Sequence, residues 1–134
     1  MFDYSAVNWV AVLVAAVVNV AINAVWYMPS VFGSRWAALT GRPISTSPNP
    51  RLYGVAIVGS LISAYVLALV IDGVGAASIT DGIVIGLVVW LGFQATNQAV
   101  GGAFEGRSWT LFGINAGSGA ISLTVMGAIL AAMS

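Results

Sequence analysis

LYGVAIVGSLISAYVLALVI occupies residues 52–71, and none of its twenty residues carries a charge. A helix rises 1.5 Å per residue, so this stretch would be about 30 Å long, which is the thickness of the hydrocarbon core of a bilayer. A membrane-spanning β-strand would need only about 10 residues with alternating polarity, and this run does not alternate. The stretch therefore predicts a transmembrane α-helix.

Three more uncharged runs of similar length lie at residues 7–27, 82–103 and 111–133. Hydrophobic residues make up 60% of the 134-residue chain and charged residues only 6%, against about 25% charged residues in soluble domains. So few charges cannot keep a soluble domain dispersed, and so apolar a chain is not disordered. We predict a single all-α integral membrane domain over residues 1–134, with four transmembrane helices arranged as two helical hairpins.

The charges are segregated between the two sides that these spans define. The arginines follow the first and third spans, whereas three of the four acids lie on the opposite side; the arginines are Arg35, Arg42, Arg51 and Arg107, and the acids Asp3, Asp72 and Asp81. The positive-inside rule makes the arginine side cytoplasmic. Both termini are then expected outside.

The link after the first span has structure of its own. Pro29 is expected to end or kink the first helix. Phe32, Trp36 and Leu39 recur at helical spacing, which predicts a short amphipathic helix in the inner interface, closed by Gly41. Residues 42–51 contain three prolines and are predicted to be an irregular loop. Five aromatic residues are expected to anchor the inner interface: Trp26, Tyr27, Phe32, Trp36 and Trp109.

Two aromatic segments carry a resemblance to a known family. Residues 25–29 read VWYMP and are followed by VFG at residues 31–33, and residues 104–109 read FEGRSW. With INAG at residues 114–117, this pattern resembles the four-span prokaryotic membrane family called domain of unknown function 1761. The resemblance extends over nearly the whole chain and implies the four-helix fold in the plasma membrane of a prokaryote. It implies no activity, substrate or catalytic residue.

Carboxamide side chains are the most informative polar residues inside the spans. On a helical wheel those of each helix share one stripe, and with the predicted topology they lie in the inner half of the membrane. Because an unsatisfied amide in hydrocarbon costs several kcal/mol, these faces should meet. The predicted polar layer comprises Asn19, Asn23, Gln94, Asn97, Gln98 and Asn115.

This layer has two interpretations that the sequence leaves open. Amides can act as interhelical glue that fixes register, or they can line a polar cavity open to the inside. Trp90, Ser118 and Ser122 share stripes with the amides and are candidates for the cavity wall, although Trp90 could equally be a packed core aromatic.

Glycines at intervals of four predict close helix packing. Gly113 and Gly117 lie on the fourth span, and Gly82 and Gly86 show the same spacing on the third. Small residues at this spacing let helix backbones approach, within one protomer or between protomers.

The residues that are missing restrict the chemistry. The chain has no His and no Cys, and no carboxylate lies inside a span, so we expect no enzyme, no metal site, no cofactor and no nucleic-acid partner. Glu105 and Arg107 are expected to pair locally. Besides the lipid bilayer, we expect either further copies of the chain or another membrane protein as partner.

Three functional classes remain. The first is a homo-oligomer for permeation or small-polar-solute binding through a cavity lined by neutral amides. The second is a non-catalytic accessory or scaffold subunit of a larger membrane complex. A pigment or haem carrier is disfavoured because the chain has no His.

Overall fold

The computed structural model describes residues 2–41, 50–76 and 78–133, which form helices and no strand. The helices are α1 (Trp9–Trp26), α2 (Ser34–Thr40), α3 (Pro50–Val74), α4 (Ile79–Val89), α5 (Thr96–Glu105) and α6 (Trp109–Ala132). A π-helical turn, Trp90–Ala95, joins α4 to α5 without a break, so that Ile79–Glu105 is one long helix. This helix, α1, α3 and α6 are long and apolar enough to cross a membrane, which confirms the prediction of four long apolar helices.

The link after α1 begins as predicted. Met28 is extended, as a residue before proline tends to be, and Pro29 opens a π-helical turn, Pro29–Gly33, that leads into α2. Gly41 ends α2 in the left-handed conformation, with φ 72°, which glycine adopts without strain. Part of the loop prediction is wrong because α3 already begins at Pro50, a position where proline's missing N–H costs nothing. The rest of that prediction, residues 42–49, lies outside the described residues.

Helix α1 packs antiparallel to both α6 and α3, so that α3 and α6 run in the same direction. The amide of Asn8, before α1, donates to the Met133 carbonyl after α6, whereas Trp26 at the other end of α1 reaches Ile114 near the start of α6. Similarly, α1 runs antiparallel to α3, since Asn19 bonds to Ser60 while Trp9 stacks on Tyr65. We call the two ends of the bundle the Trp9 end and the Trp26 end.

The closest helix approach is the crossing of α4 and α6. A Cβ added at Gly82 would overlap the Gly127 carbonyl oxygen, and one at Gly127 would overlap the Gly82 carbonyl oxygen. A Cβ at Gly86 would overlap the Leu123 carbonyl in the same way. All three glycines are buried, so the missing side chains are what allows these two backbones to touch.

Gly113 and Gly117, the predicted packing glycines of α6, lie outside its crossing with α4. Within the chain Gly113 permits no close approach, because a Cβ there would meet nothing within 4 Å and the residue is exposed. A Cβ at Gly117 would stand 3.0 Å from the Trp26 ring, so Gly117 makes room for a side chain and not for a helix backbone. The close approach on α6 falls instead on Gly127, opposite the glycines of α4. A contact of Gly113 between protomers stays a prediction.

The bundle is closed on one side and open on the other. Helix α6 contacts α1, α3 and α4, and α1 contacts α3, whereas α3 and α4 barely touch. The hydrophobic core fills the Trp9 end, with Val12, Ile71 and Met126 almost fully buried. At the surface Arg107 forms the expected ion pair with Glu105. The gap between α3 and the Ile79–Glu105 helix opens into a cleft.

Candidate functional site

A cavity of about 760 Å³ lies between α3 and the Ile79–Glu105 helix, with α1 and α6 behind it. We call it the amide cleft. All six carboxamides of the predicted polar layer are among its lining residues, and they come from three separate spans: Asn19 and Asn23 from the first, Gln94, Asn97 and Gln98 from the third, Asn115 from the fourth. The structure thus brings these six side chains to one place.

The amides of α1 and α6 are engaged in hydrogen bonds between helices. The Asn19 amide donates to Ser60 Oγ at 2.6 Å, which ties α1 to α3. The Asn23 amide donates to the backbone carbonyl and to Oδ1 of Asn19 at 3.0 and 3.2 Å, while its own Oδ1 accepts from the Ser118 hydroxyl of α6. These bonds form a continuous chain from α3 through α1 to α6. On this side of the cleft the hydrogen bonds link neighbouring helices, as the glue interpretation expects.

The amides of the third span are held differently. The Thr96 hydroxyl donates to the Gly92 carbonyl at 2.8 Å, and the Asn97 amide donates to the Phe93 carbonyl, so both side chains bond to the backbone of the π-helical turn. Asn97 therefore supports its own helix and is exposed at the edge of the cleft. Gln94 lies against α6, where a Cβ on Gly119 would overlap its side-chain amide.

Three side-chain oxygens of residues that line the cleft are buried and have no hydrogen-bond partner among the described residues. They are Oε1 of Gln94, Oε1 of Gln98 and the hydroxyl of Ser122, whose residue is only 3% exposed. A buried polar group without a partner costs about 1–3 kcal/mol, so native proteins keep such groups where something else can bond to them. The three residues line one cavity, which makes them the candidates for contact with a bound molecule.

The predicted wall residues divide between two environments. Ser118 and Ser122 are among the lining residues of the cleft. Trp90 is not among its lining residues, because the indole N–H finds an acceptor in the Ala116 carbonyl at 2.7 Å and the ring packs at the interface with α6. Of its two sequence interpretations, the packed aromatic fits this position.

The predicted interfacial anchors lie at the Trp26 end of the bundle. Trp26 stacks against Phe32 with ring centres 4.5 Å apart, Tyr27 meets Trp36 edge to face at 6.1 Å, and Trp109 is 69% exposed. Sequence reasoning missed the hydroxyl of Tyr27, which donates to Asn115 Oδ1 at 2.8 Å. No spacing rule could have paired two residues 88 positions apart.

The cleft has an apolar half that the sequence did not indicate. Towards the Trp9 end its walls are Val66, Leu67 and Val70 of α3 facing Val89 of α4, with Met126 of α6 behind. None of the lining residues that the structure describes bears a charge. Its rim is exposed on both sides of the gap: Ile62 is 59% exposed, Val66 50%, and Phe93 on the opposite helix 71%. The opening therefore faces sideways, out of the bundle.

A second cavity of about 610 Å³ lies between α1 and the first half of α3. It shares three lining residues with the amide cleft: Asn19, Asn23 and Tyr27. The amide stripe of α1 thus forms a partition with a cavity on each side. Among the residues that the structure describes, no group of three acidic, His or Cys side chains is placed to hold a metal ion.

Comparison with known proteins gives a family. A family model described as a protein of unknown function, DUF1761, matches residues 10–131. The chain belongs to this family. The match confirms the resemblance carried by the aromatic segments, and it includes nearly all of the four long helices of this DUF1761 protein. No curated protein and no solved structure matches the chain. Because DUF1761 membership carries no activity, function has to be argued from the cleft.

Proposed function

We propose that this DUF1761 protein is a non-catalytic membrane protein that binds a small molecule with an uncharged polar group in the amide cleft. One observation carries the proposal: Gln94, Gln98 and Ser122 line one cavity, and each has a buried side-chain oxygen with no partner among the described residues. Glue alone would leave no such oxygens, since it consists of satisfied hydrogen bonds. A bound molecule that donates hydrogen bonds accounts for them.

The walls of the cleft select against ions. Among the described residues its lining includes amides, hydroxyls and apolar side chains but no charged group. Moving an ion out of water without a countercharge is far more costly than moving a neutral polar group. The ligand is therefore uncharged, and the described lining residues include no carboxylate and no imidazole for general acid or base chemistry.

The arrangement in the membrane is part of the proposal. The antiparallel contacts of α1 with α3 and of the Ile79–Glu105 helix with α6 support two helical hairpins. Helix α2 lies in the inner interface of a prokaryotic plasma membrane, and both termini face outwards. The Trp26 end, which holds the amides, is then the cytoplasmic end.

Several copies of the chain assemble into a homo-oligomer, a state that a native mass measurement in detergent tests directly.

Single cysteines test the orientation, because the chain has no Cys of its own. Ser78→Cys, before α4, is expected to react with a membrane-impermeant thiol reagent in intact cells. Glu105→Cys, at the other end of the same long helix, is expected to react only after the cells are opened. The reverse pattern would contradict the orientation and move the amide cleft to the outer half of the membrane.

Acetamide and acetate form a matched pair of probes for the binding site, since they share a shape and differ in charge. In lipid nanodiscs, acetamide should show saturable binding by saturation-transfer NMR and acetate should not. Gln94→Leu removes one acceptor and is expected to weaken acetamide binding about tenfold, the worth of one hydrogen bond. Phe104→Leu, on an 89% exposed residue of the same helix, is the control and should change nothing.

The alternative function is an accessory or scaffold subunit of a larger membrane complex. The satisfied chain of bonds from Ser60 through Asn19 and Asn23 to Ser118 favours it, because these bonds have a structural purpose only. If neither acetamide nor acetate binds, the cleft is not a ligand site and the scaffold function stands in its place.

A further inference from the structure

We infer that the amide cleft takes a membrane amphiphile, whose uncharged head donates hydrogen bonds to Gln94, Gln98 and Ser122 and whose apolar body lies between α3 and α4. This inference rests on the proposed function and names the class of its ligand. It depends on three features of the cleft: its gradient of polarity, its sideways opening and the kind of polar atom that lacks a partner.

Polarity changes along the cleft from one end to the other. The amides lie from the middle of each helix towards the Trp26 end, as Asn115 near the start of α6 and Gln98 in α5 illustrate. Val70, Val89 and Met126 line the half towards the Trp9 end. A small solute that is polar throughout would leave this apolar half without complementary contacts. A molecule with one polar and one apolar end matches both halves.

The opening of the cleft determines where such a molecule comes from. Ile62 and Val66 on one side and Phe93 on the other are half exposed or more, and they flank the gap between helices that barely touch. All three are apolar and lie within helices that are long and apolar enough to span a membrane, so in a bilayer they would face acyl chains. A ligand that is dissolved in the bilayer can enter through this gap without crossing the polar interface.

The unpartnered atoms determine the head group. Two of the three are amide oxygens, which only accept hydrogen bonds, and the third is a hydroxyl. The head must therefore donate, as an amide or a hydroxyl does and an ester does not. Phosphate head groups do not fit, because none of the described lining residues carries a positive charge to balance them.

Dodecanamide carrying a photoreactive diazirine on its chain is the probe for this inference. In nanodiscs containing the whole protein, illumination should attach it to the apolar half of the cleft, at peptides that include Val66, Val89 or Met126. Unlabelled dodecanamide should compete at a concentration at least 100-fold below that of acetamide. Methyl dodecanoate enters the bilayer equally well but has no donor, so it should not compete.

Variants locate the binding within the protein. The double variant Gln94→Leu and Gln98→Leu should lose the saturable labelling, whereas the exposed control Phe104→Leu should keep it. If acetamide and dodecanamide compete equally, the amphiphile inference is overturned while the proposed binding of an uncharged group stands. The same holds if acetamide binds but labelling never saturates. Absence of acetamide binding in the NMR measurement overturns the proposed function itself.

A second copy of the chain is the other possible occupant of the open side. A single cysteine at Phe93, on the rim, distinguishes the two cases. Under oxidising conditions in nanodiscs it should remain a monomeric thiol if a lipid-like ligand covers the cleft. Rapid formation of a disulfide-linked dimer would place two clefts face to face and overturn the amphiphile inference.

Discussion

Gly127→Ala is expected to destabilise the bundle by about 3 kcal/mol, the upper part of the usual range for overpacking a tight site. The added methyl group would overlap the Gly82 carbonyl oxygen, which belongs to the backbone of α4 and cannot rotate away. Helices α4 and α6 would have to separate over their closest approach, and contacts along the whole crossing would weaken. Reversible unfolding in mixed lipid and detergent micelles measures the loss.

Gly113→Ala is the matched control on the same helix. A methyl group at this position meets nothing within 4 Å, and alanine is the better helix former by about 1 kcal/mol, so stability should stay equal or rise slightly. If both variants lose stability to the same extent, the helix backbone responds to any added methyl group and the close α4–α6 crossing is not the reason.

Trp26→Ala is expected to cost about 3 kcal/mol, as truncation of a large packed aromatic does. The ring contacts Phe32 and Gly117, and its indole N–H donates to the Ile114 carbonyl at 2.8 Å. The change therefore removes packing and a hydrogen bond between α1 and α6 at once. Unfolding in the same micelles measures the effect.

Two further variants separate packing from hydrogen bonding. Trp26→Phe keeps an aromatic ring but no N–H, and should cost about 1 kcal/mol. Trp109→Ala removes a side chain that is 69% exposed and should change stability by less than about 1 kcal/mol. Equal losses at Trp26 and Trp109 would show that both serve only as anchors in the interface, and would contradict the contact of Trp26 with α6.

The amide layer illustrates how far sequence reasoning reaches into the site. Helical periodicity and the cost of an unsatisfied amide were enough to predict that carboxamides of three spans meet, and the cleft contains all six. Periodicity could not predict which of these amides are hydrogen-bonded and which keep an oxygen without a partner. Asn23 is bonded and Gln94 Oε1 is not, because Ser118 lies within reach of the first and the π-helical turn presents the second to Gly119.

The glycines give the opposite lesson. Spacing by four identified Gly113 and Gly117 as readily as Gly82 and Gly86, yet only the second pair meets a helix backbone. Glycine spacing shows which face of a helix carries small residues. It does not show which neighbouring helix packs against that face. That depends on the crossing of α4 with α6, a contact between residues 45 positions apart at Gly82 and Gly127.

By itself the sequence determined that the chain has four helices long and apolar enough to cross a membrane, since that property depends on the length and apolarity of single segments, which are local. It also determined which polar residues would have to turn inwards, because hydrocarbon penalises each of them separately. Only the tertiary structure decided that α3 and α4 stay apart, that the resulting cleft has an apolar half, and that three of its oxygens lack partners among the described residues. Those features depend on how four helices share their surfaces, and no single helix contains that information.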